Sequence, residues 1–367
     1  MKLVHLKNSD LKVSPICLGT WQFNGNTAGT SMGTWNAQDI NVSKKIVDAA
    51  IESGINFFDT AEAYLNSEKV LGDILDGSYK SRRSDLVIAS KFGFNATPGS
   101  NKPVSYTPAD IEDSLNQSLR SLKTDYLDLY QVHWPEVMNN VEETVKELKR
   151  LQSLGKIRYY GVSNFGPQTL KEFYDFGGEP VSNQLPYSLL WRSIEYEIIP
   201  ECAKRNLSIL AYSPLAQGLL SGKYNDSTSF PNGRRRIRLF NCKSTPLAVH
   251  TESGCEDQVF KALGDIKQLL TQLNVCKKSG LDIQDDGDGK EQYGMVNLSL
   301  DWILSNLNVG SVIVGASSAD QITQICKNAS SSLMNTEMKR KLDEITEPIK
   351  EAIGNNPDMW FTKSRYK

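Results

Sequence analysis

Short apolar runs rich in β-branched and aromatic residues recur about eight times along this chain, and longer stretches with helical spacing separate them. The runs are Ile16-Cys17-Leu18, Phe57-Phe58, Leu86-Val87-Ile88-Ala89, Leu127-Asp128-Leu129-Tyr130, Tyr159-Tyr160-Gly161-Val162, Val181-Ser182-Asn183-Gln184, Ile209-Leu210-Ala211-Tyr212 and Ser311-Val312-Ile313-Val314. Between them, Ser43 to Ile51, Thr107 to Leu122 and Val141 to Leu154 carry apolar residues three to four apart, and Thr107-Pro108 is a strong helix start. Such alternation predicts an α/β chain of parallel strands with crossover helices. At 367 residues the chain has the length of a (β/α)8 TIM-type barrel, roughly 250 residues plus insertions. A doubly wound sheet is the alternative, but no G-x-G-x-x-G follows a predicted strand. Lys2-Leu3-Val4 and Leu11-Lys12-Val13, joined by Asn8-Ser9-Asp10, read as an N-terminal β-hairpin placed to plug the barrel bottom.

We read residues 1–367 as a single domain with an elaborated loop between the seventh and eighth barrel strands, its insertion spanning about 242–293. Gln258 to Leu273 has helical spacing, whereas Cys276 to Gln292 is too polar to pack and is expected to be mobile. Gly25 to Asn41 reads as a rim loop placed to cover a ligand. The acidic run at Asp282, Gln284, Asp286 and Gly287 resembles the opening of an EF-hand loop, yet the closing carboxylate position falls on Tyr293, so we expect a solvated loop and no metal. The basic run Arg234-Arg235-Arg236-Ile237-Arg238 reads as an anion-binding lid or a plain solvated loop.

A net charge of −2 gives no electrostatic footprint for nucleic acid or an anionic membrane, which leaves a small molecule as the expected partner. With a charged N-terminus and no apolar stretch of about 20 residues, the chain is expected to be cytoplasmic, without membrane insertion, as a monomer or homo-oligomer. Its six cysteines show no C-x-x-C pair and no histidine at metal-ligand spacing.

Four ionisable residues stand at or just beyond the ends of three successive runs: Asp59, Tyr64, Lys91 and His133. Taken singly, each has an ordinary role. Asp59 is placed to cap the next helix, Tyr64 to be a half-buried aromatic, Lys91 a solvated charge and His133 a turn histidine. Taken together at one barrel rim, they suit protonation of an oxygen gaining negative charge. A phenol titrates at about 10, and a neighbouring ammonium lowers that value. Aspartate would hold the lysine, and His133 would orient a carbonyl. Later strand ends add amides at Asn164 and Gln184 for a carboxamide and a flat face at Tyr212. Gly218 and Gly222 offer backbone, and Lys223 with the arginines offers charge, to a pyrophosphate, while the helix after Gly315-Ala316-Ser317 offers its N-terminus to a phosphate.

The motifs Gly19-Thr20-Trp21, Gly54 to Tyr64, Ser90-Lys91, Asp128 to Pro135, Gly155 to Arg158, Gly161 to Phe165 and Ala211 to Tyr224 occur in this order, and by them the chain resembles the aldo-keto reductases over nearly its whole length. It is most similar to the branch of microbial reductases that includes the potassium-channel β subunits. The resemblance implies NADPH-dependent reduction of aldehydes or ketones, with Tyr64 as proton donor, Lys91 and Asp59 tuning it, and His133 positioning the carbonyl. It implies cofactor contacts at Ser163, Asn164 and Gln184 for the carboxamide and Tyr212 for the nicotinamide face. Ser213, Leu215, Gly218 and Lys223 follow along the pyrophosphate, and Ser317 and Gln321 near the 2′-phosphate. Trp21 and Trp134 are implied to line the substrate pocket. Leu65 stands where relatives usually carry Gly, and Ile325 where many carry Asn near the adenine. Two other functions fit the same residues: an NADPH-binding, redox-sensing regulatory subunit with slow turnover, and a Schiff-base aldolase acting through Lys91.

Overall fold

The computed structural model of the protein describes residues 1–23, 38–93, 105–278, 294–328 and 334–366. Strands β3 (Ile16–Gly19), β4 (Phe57–Asp59), β5 (Val87–Phe92), β6 (Leu127–Val132), β7 (Ile157–Ser163), β8 (Ser182–Pro186), β9 (Ser208–Tyr212) and β10 (Val309–Val314) close a parallel barrel in chain order, with β10 beside β3. All eight coincide with the apolar runs. The two short strands β1 (Val4–His5) and β2 (Lys12–Val13) pair antiparallel, with Val4 opposite Val13.

Side-chain alternation sorts each strand into an inner and an outer face. Phe58, Ile88, Tyr130, Val162 and Ile209 belong to the outer cluster shared with the helices. Cys17, Phe57, Val87, Ala89, Leu129, Leu210 and Ile313 form a separate inner cluster together with Leu6, Leu11 and Val13 of the hairpin. The hairpin therefore closes the barrel from below with its own apolar side chains, as its sequence predicts. One step further along the same inner face, two residues on, come Asp59, Lys91, Gln131 and Tyr212, where polar atoms replace carbon.

Helices α1 (Ile40–Glu52), α2 (Ser67–Ser78), α3 (Pro108–Leu122), α4 (Val141–Ser153), α5 (Pro167–Asp175) and α6 (Ile198–Lys204) fill the crossovers. Thr107 caps α3 through a reciprocal box with Asp110, the Thr107 N–H donating to Asp110 Oδ2 at 2.9 Å. Between β9 and β10 lie α7 (Glu256–Lys278) and α8 (Met295–Leu304), and α9 (Ala319–Asn328) and α10 (Thr336–Ile353) follow β10. Helix α7 continues past Leu273, so the change to a polar composition at Cys276 does not end it. The acidic run and residues 25–37 of the expected rim loop lie outside the described residues, and the last two positions of that loop, Ile40 and Asn41, already belong to α1.

Beyond α10, residues 354–366 form an extended segment with no regular periodicity, and individual side chains hold it in place. The Arg238 guanidinium donates to the carbonyls of Asn356 at 3.0 Å, Asp358 at 3.1 Å and Ile353 at 3.2 Å. Trp191 Nε1 donates to the Pro357 carbonyl at 3.1 Å. Asp358, fully buried, accepts from Arg365 Nε at 2.6 Å and from the Trp360 N–H at 3.1 Å. This segment reaches the barrel mouth. Among the described residues, no helix is long and apolar enough to cross a membrane.

Candidate active site

Strand β4 ends on Asp59, and β5 carries Lys91 on the adjoining inner face. Lys91 Nζ donates to Asp59 Oδ1 at 2.6 Å, to the Thr60 carbonyl at 2.8 Å and to Tyr64 Oη at 3.2 Å, which engages all three ammonium hydrogens. The sequence placed Lys91 at an open strand end. It sits instead one residue inside β5, with 0% exposure, because Phe92 extends the strand beyond it. The solvated role for Lys91 and the capping role for Asp59 both fail: the cap of α2 is Asn66, and Asp59 is buried against the lysine.

Tyr64 is half-buried on the turn after β4. Its ring packs 4.7 Å from Trp21 and meets His133 edge-on at 5.8 Å, centroid to centroid. Burial pushes the phenol above 10.0, and Lys91 offsets only part of that. The expected lowering is thus reversed in sign, since desolvation outweighs the ammonium. Burial opposes charge on Lys91 as well, yet Asp59 and Tyr64 overcome it and hold the ammonium above its usual 10.5. Burial, reinforced by Lys91, drives His133 well below 6.5 and keeps its imidazole neutral at physiological pH.

A cavity of about 1190 Å³ opens from these groups across the barrel mouth. Asp59, Tyr64 and His133 line it, as do Trp21 and Trp134, while Lys91 stands behind the wall. Ser163, Asn164, Gln184 and Tyr212 reach it from the ends of β7, β8 and β9. Ser213, Leu215, Gly218 and Lys223 line it after β9, and Ser317 and Gln321 after β10. The Ser317 N–H donates to Gln321 Oε1 at 2.8 Å, fixing the turn that leads into α9.

After β9 the backbone turns repeatedly through the left-handed region. Ser213, Ala216, Gln217 and Gly218 all have positive φ, with Gly218 at 100°. A Cβ on Gly218 would lie 3.3 Å from Arg234 Nη1, so the glycine keeps the cavity side of that guanidinium clear. The basic run divides: Arg234 and Arg236 line the cavity, whereas Arg238 turns away to clasp the 354–366 segment. Leu65, in the position expected to favour Gly, takes φ 52°, the left-handed region, and is exposed. Ile325 lines the cavity as a buried apolar side chain.

Two groups at this site have no counterpart among the sequence-based candidates. Gln131, fully buried on β6, lies against Asp59 and Gln184. Trp360, Phe361 and Arg365 bring the 354–366 segment into the cavity wall, and the Arg365 guanidinium lies 3.7 Å from the Trp134 ring centroid. Parity on β6, two residues before His133, marks Gln131 as inward-facing; the 354–366 segment carries no comparable signal.

The model of the "Aldo/keto reductase family" matches residues 15–347. The uncharacterized oxidoreductase YqkF of Bacillus subtilis is 30% identical over 94% of this chain and 97% of its own length. A probable voltage-gated potassium channel subunit beta of Arabidopsis thaliana is 29% identical over 89% of this chain and 90% of its own. Among solved structures, a glycerol dehydrogenase of Gluconobacter oxydans superposes with a TM-score of 0.73 at 25% identity, covering 97% of each chain. The chain belongs to the aldo/keto reductase family.

Proposed function

We propose that this oxidoreductase uses NADPH to reduce an aldehyde or ketone to an alcohol, with Tyr64 donating the proton. The observation that carries the reading is the chain Asp59 Oδ1, Lys91 Nζ, Tyr64 Oη, with steps of 2.6 and 3.2 Å, ending on a phenol that faces the cavity beside His133. A reduced nicotinamide supplies hydride to the carbonyl carbon when bound. Its carboxamide is assigned to Ser163, Asn164 and Gln184, its ring face to Tyr212, its pyrophosphate to Ser213, Leu215, Gly218 and Lys223 with Arg234 and Arg236, and its 2′-phosphate to Ser317 and Gln321 at the start of α9.

The protein's own part follows from the charges. Neutral His133 retains a ring N–H with which to orient and polarise the carbonyl oxygen, without competing for the proton. As negative charge grows on that oxygen, Tyr64 gives up its proton. The Lys91 ammonium, held in place by Asp59, stabilises the phenolate left behind. Trp21 and Trp134 exclude water from the substrate side.

A Schiff base on Lys91 would require a neutral amine, whereas this one is held charged with all three hydrogens engaged. A regulatory subunit that binds NADPH and turns over slowly is the second reading, favoured by the similarity to the channel β subunit. The protein is taken to act in the cytoplasm on a small carbonyl compound, as one barrel domain over residues 1–367 with its insertion near 242–293 and as a monomer or homo-oligomer. Incubation with NADPH or NADH and a panel of aldehydes, ketones and quinones, beside a fluorescence titration of each cofactor, tests it. Turnover preferring NADPH is expected. Tight binding without turnover transfers the assignment to the regulatory reading, and neither binding nor turnover overturns both.

A further inference from the structure

We propose that Gln131 is a positioning residue of this active site: its carboxamide sets the orientation of Gln184 and of the Asp59 carboxylate, and so joins the cofactor's seat to the proton donor. The inference rests on the reductase reading above and deepens it.

Position comes first. Leu129 belongs to the inner cluster of the barrel, so Gln131, two residues on, faces inward as well. It is in register with Lys91 on one side and Gly161 on the other, and it is 0% exposed. A Cβ on Gly161 would lie 2.4 Å from Ser182 Oγ and 3.3 Å from Gln131 Cγ, so the missing side chain leaves a lane along which the glutamine lies. In the layer below, the same inner face is filled by Phe57, Ala89 and Leu129. A primary amide in such a place is costly unless its hydrogen bonds are made.

Those bonds are made to two residues of the site. Gln131 Nε2 donates to Asp59 Oδ2 at 3.4 Å, and Gln131 Oε1 accepts from Gln184 Nε2 at 3.4 Å. Gln184 Nε2 also donates to Asp59 Oδ2, at 2.8 Å. The carboxylate is thus divided, with Oδ1 holding Lys91 and Oδ2 held by two amides. The second amide fixes the first: with both Nε2 hydrogens of Gln184 engaged inward, its Oε1 is the atom left to accept from a ligand's N–H. Without Gln131, Gln184 loses the acceptor that sets its amide plane, and Asp59 loses a donor that fixes its plane and with it the direction of Lys91 toward Tyr64.

Gln131→Met, of similar volume and without the amide, tests this in the full chain. NADPH and adenosine 2′,5′-bisphosphate, which lacks the nicotinamide half, are titrated in parallel, and kcat and KM for a reducible carbonyl are measured. NADPH is expected to bind roughly three- to tenfold more weakly, the worth of one buried hydrogen bond, with bisphosphate affinity unchanged. The kcat is expected to fall roughly tenfold while the carbonyl KM stays within about twofold. Equal weakening of both ligands would show a general packing effect and overturn the proposal, as would unchanged NADPH affinity and kcat. Should the Met variant fail to fold, Gln131→Asn, which keeps the amide but withdraws it from Asp59, is expected to give the same selective loss, and its absence there overturns the proposal. A wild-type protein that binds the bisphosphate but gains nothing from the nicotinamide half contradicts the Gln131 role alone. One that binds neither ligand overturns the reductase reading and this inference with it.

Discussion

Tyr366 donates its phenol to Asn164 Oδ1 at 2.5 Å, onto the same amide oxygen that accepts from Tyr212 Oη at 2.9 Å. Asn164 Nδ2 is engaged as well, donating to the His133 carbonyl at 3.0 Å and to Ser163 Oγ at 3.1 Å. The side chain assigned to a nicotinamide carboxamide is therefore already saturated, and one of its partners comes from the segment beyond α10.

Removing that hydroxyl should make room. Tyr366→Phe is expected to tighten NADPH binding by roughly three- to tenfold, because one lone pair of Asn164 Oδ1 becomes available without displacing a bond. Adenosine 2′,5′-bisphosphate serves as the control and should bind as it does to wild type. Weaker NADPH binding in the variant would show instead that Tyr366 helps to hold the cofactor.

The rate of reduction should be insensitive to alkali over a wide range. Reduction needs Tyr64 in its acid form, and burial raises that phenol above 10.0 with Lys91 pulling only partly the other way. The acid form then persists through neutral and mildly alkaline pH, and the rate falls only beyond about 10. Because His133 ionises well below 6.5, no acid limb from its protonation is expected near neutrality. Single-turnover rates across this range check both limbs. A decline centred between about 7 and 9 would mean that Lys91 prevails over burial at Tyr64.

Stability has a separate anchor on β6. Asp128, fully buried, accepts from Arg158 Nη1 at 2.8 Å, pairs with Arg83 Nη1 at 2.9 Å and accepts from the Ile88 N–H at 3.0 Å. Asp128→Ala leaves the Ile88 N–H and two guanidinium groups without this acceptor. The arginines retain access to water, which places the loss near the low end of the range for broken buried pairs, about 3 kcal/mol. Denaturant midpoints for the two proteins measure it. Activity per folded molecule should be unchanged, since Asp128 does not reach the cavity.

The barrel was legible because each strand announces itself as an apolar run, and Asp59, Tyr64 and His133 because they interrupt or follow those runs at one rim. Lys91 was found for the same reason but misjudged in depth, since β5 runs three residues past Ala89, to Phe92, and seals the lysine inside the strand. The sign of the Tyr64 shift was not legible at all. It depends on how much protein surrounds the phenol, which the identity of its neighbours does not state. Gln131 passed for an ordinary strand residue, and only the register with Lys91 and Gly161 shows what it touches. The segment from Asn355 to Tyr366 has no period to read, because single contacts from Arg238, Trp191 and Asp358 hold it. Within the basic run, the division between Arg234 and Arg236 at the cavity and Arg238 behind it is likewise a property of the folded loop.

The central claim is that Tyr64 passes the proton in an NADPH-dependent carbonyl reduction. The most direct measurement compares wild type with Tyr64→Phe, following the loss of reduced-nicotinamide absorbance on a carbonyl that wild type reduces, with cofactor affinity titrated in parallel. A loss in kcat on the order of 10² to 10⁴ with NADPH affinity unchanged is the predicted result. Undiminished turnover in the variant would contradict the account, because a ring without its hydroxyl has no proton to give.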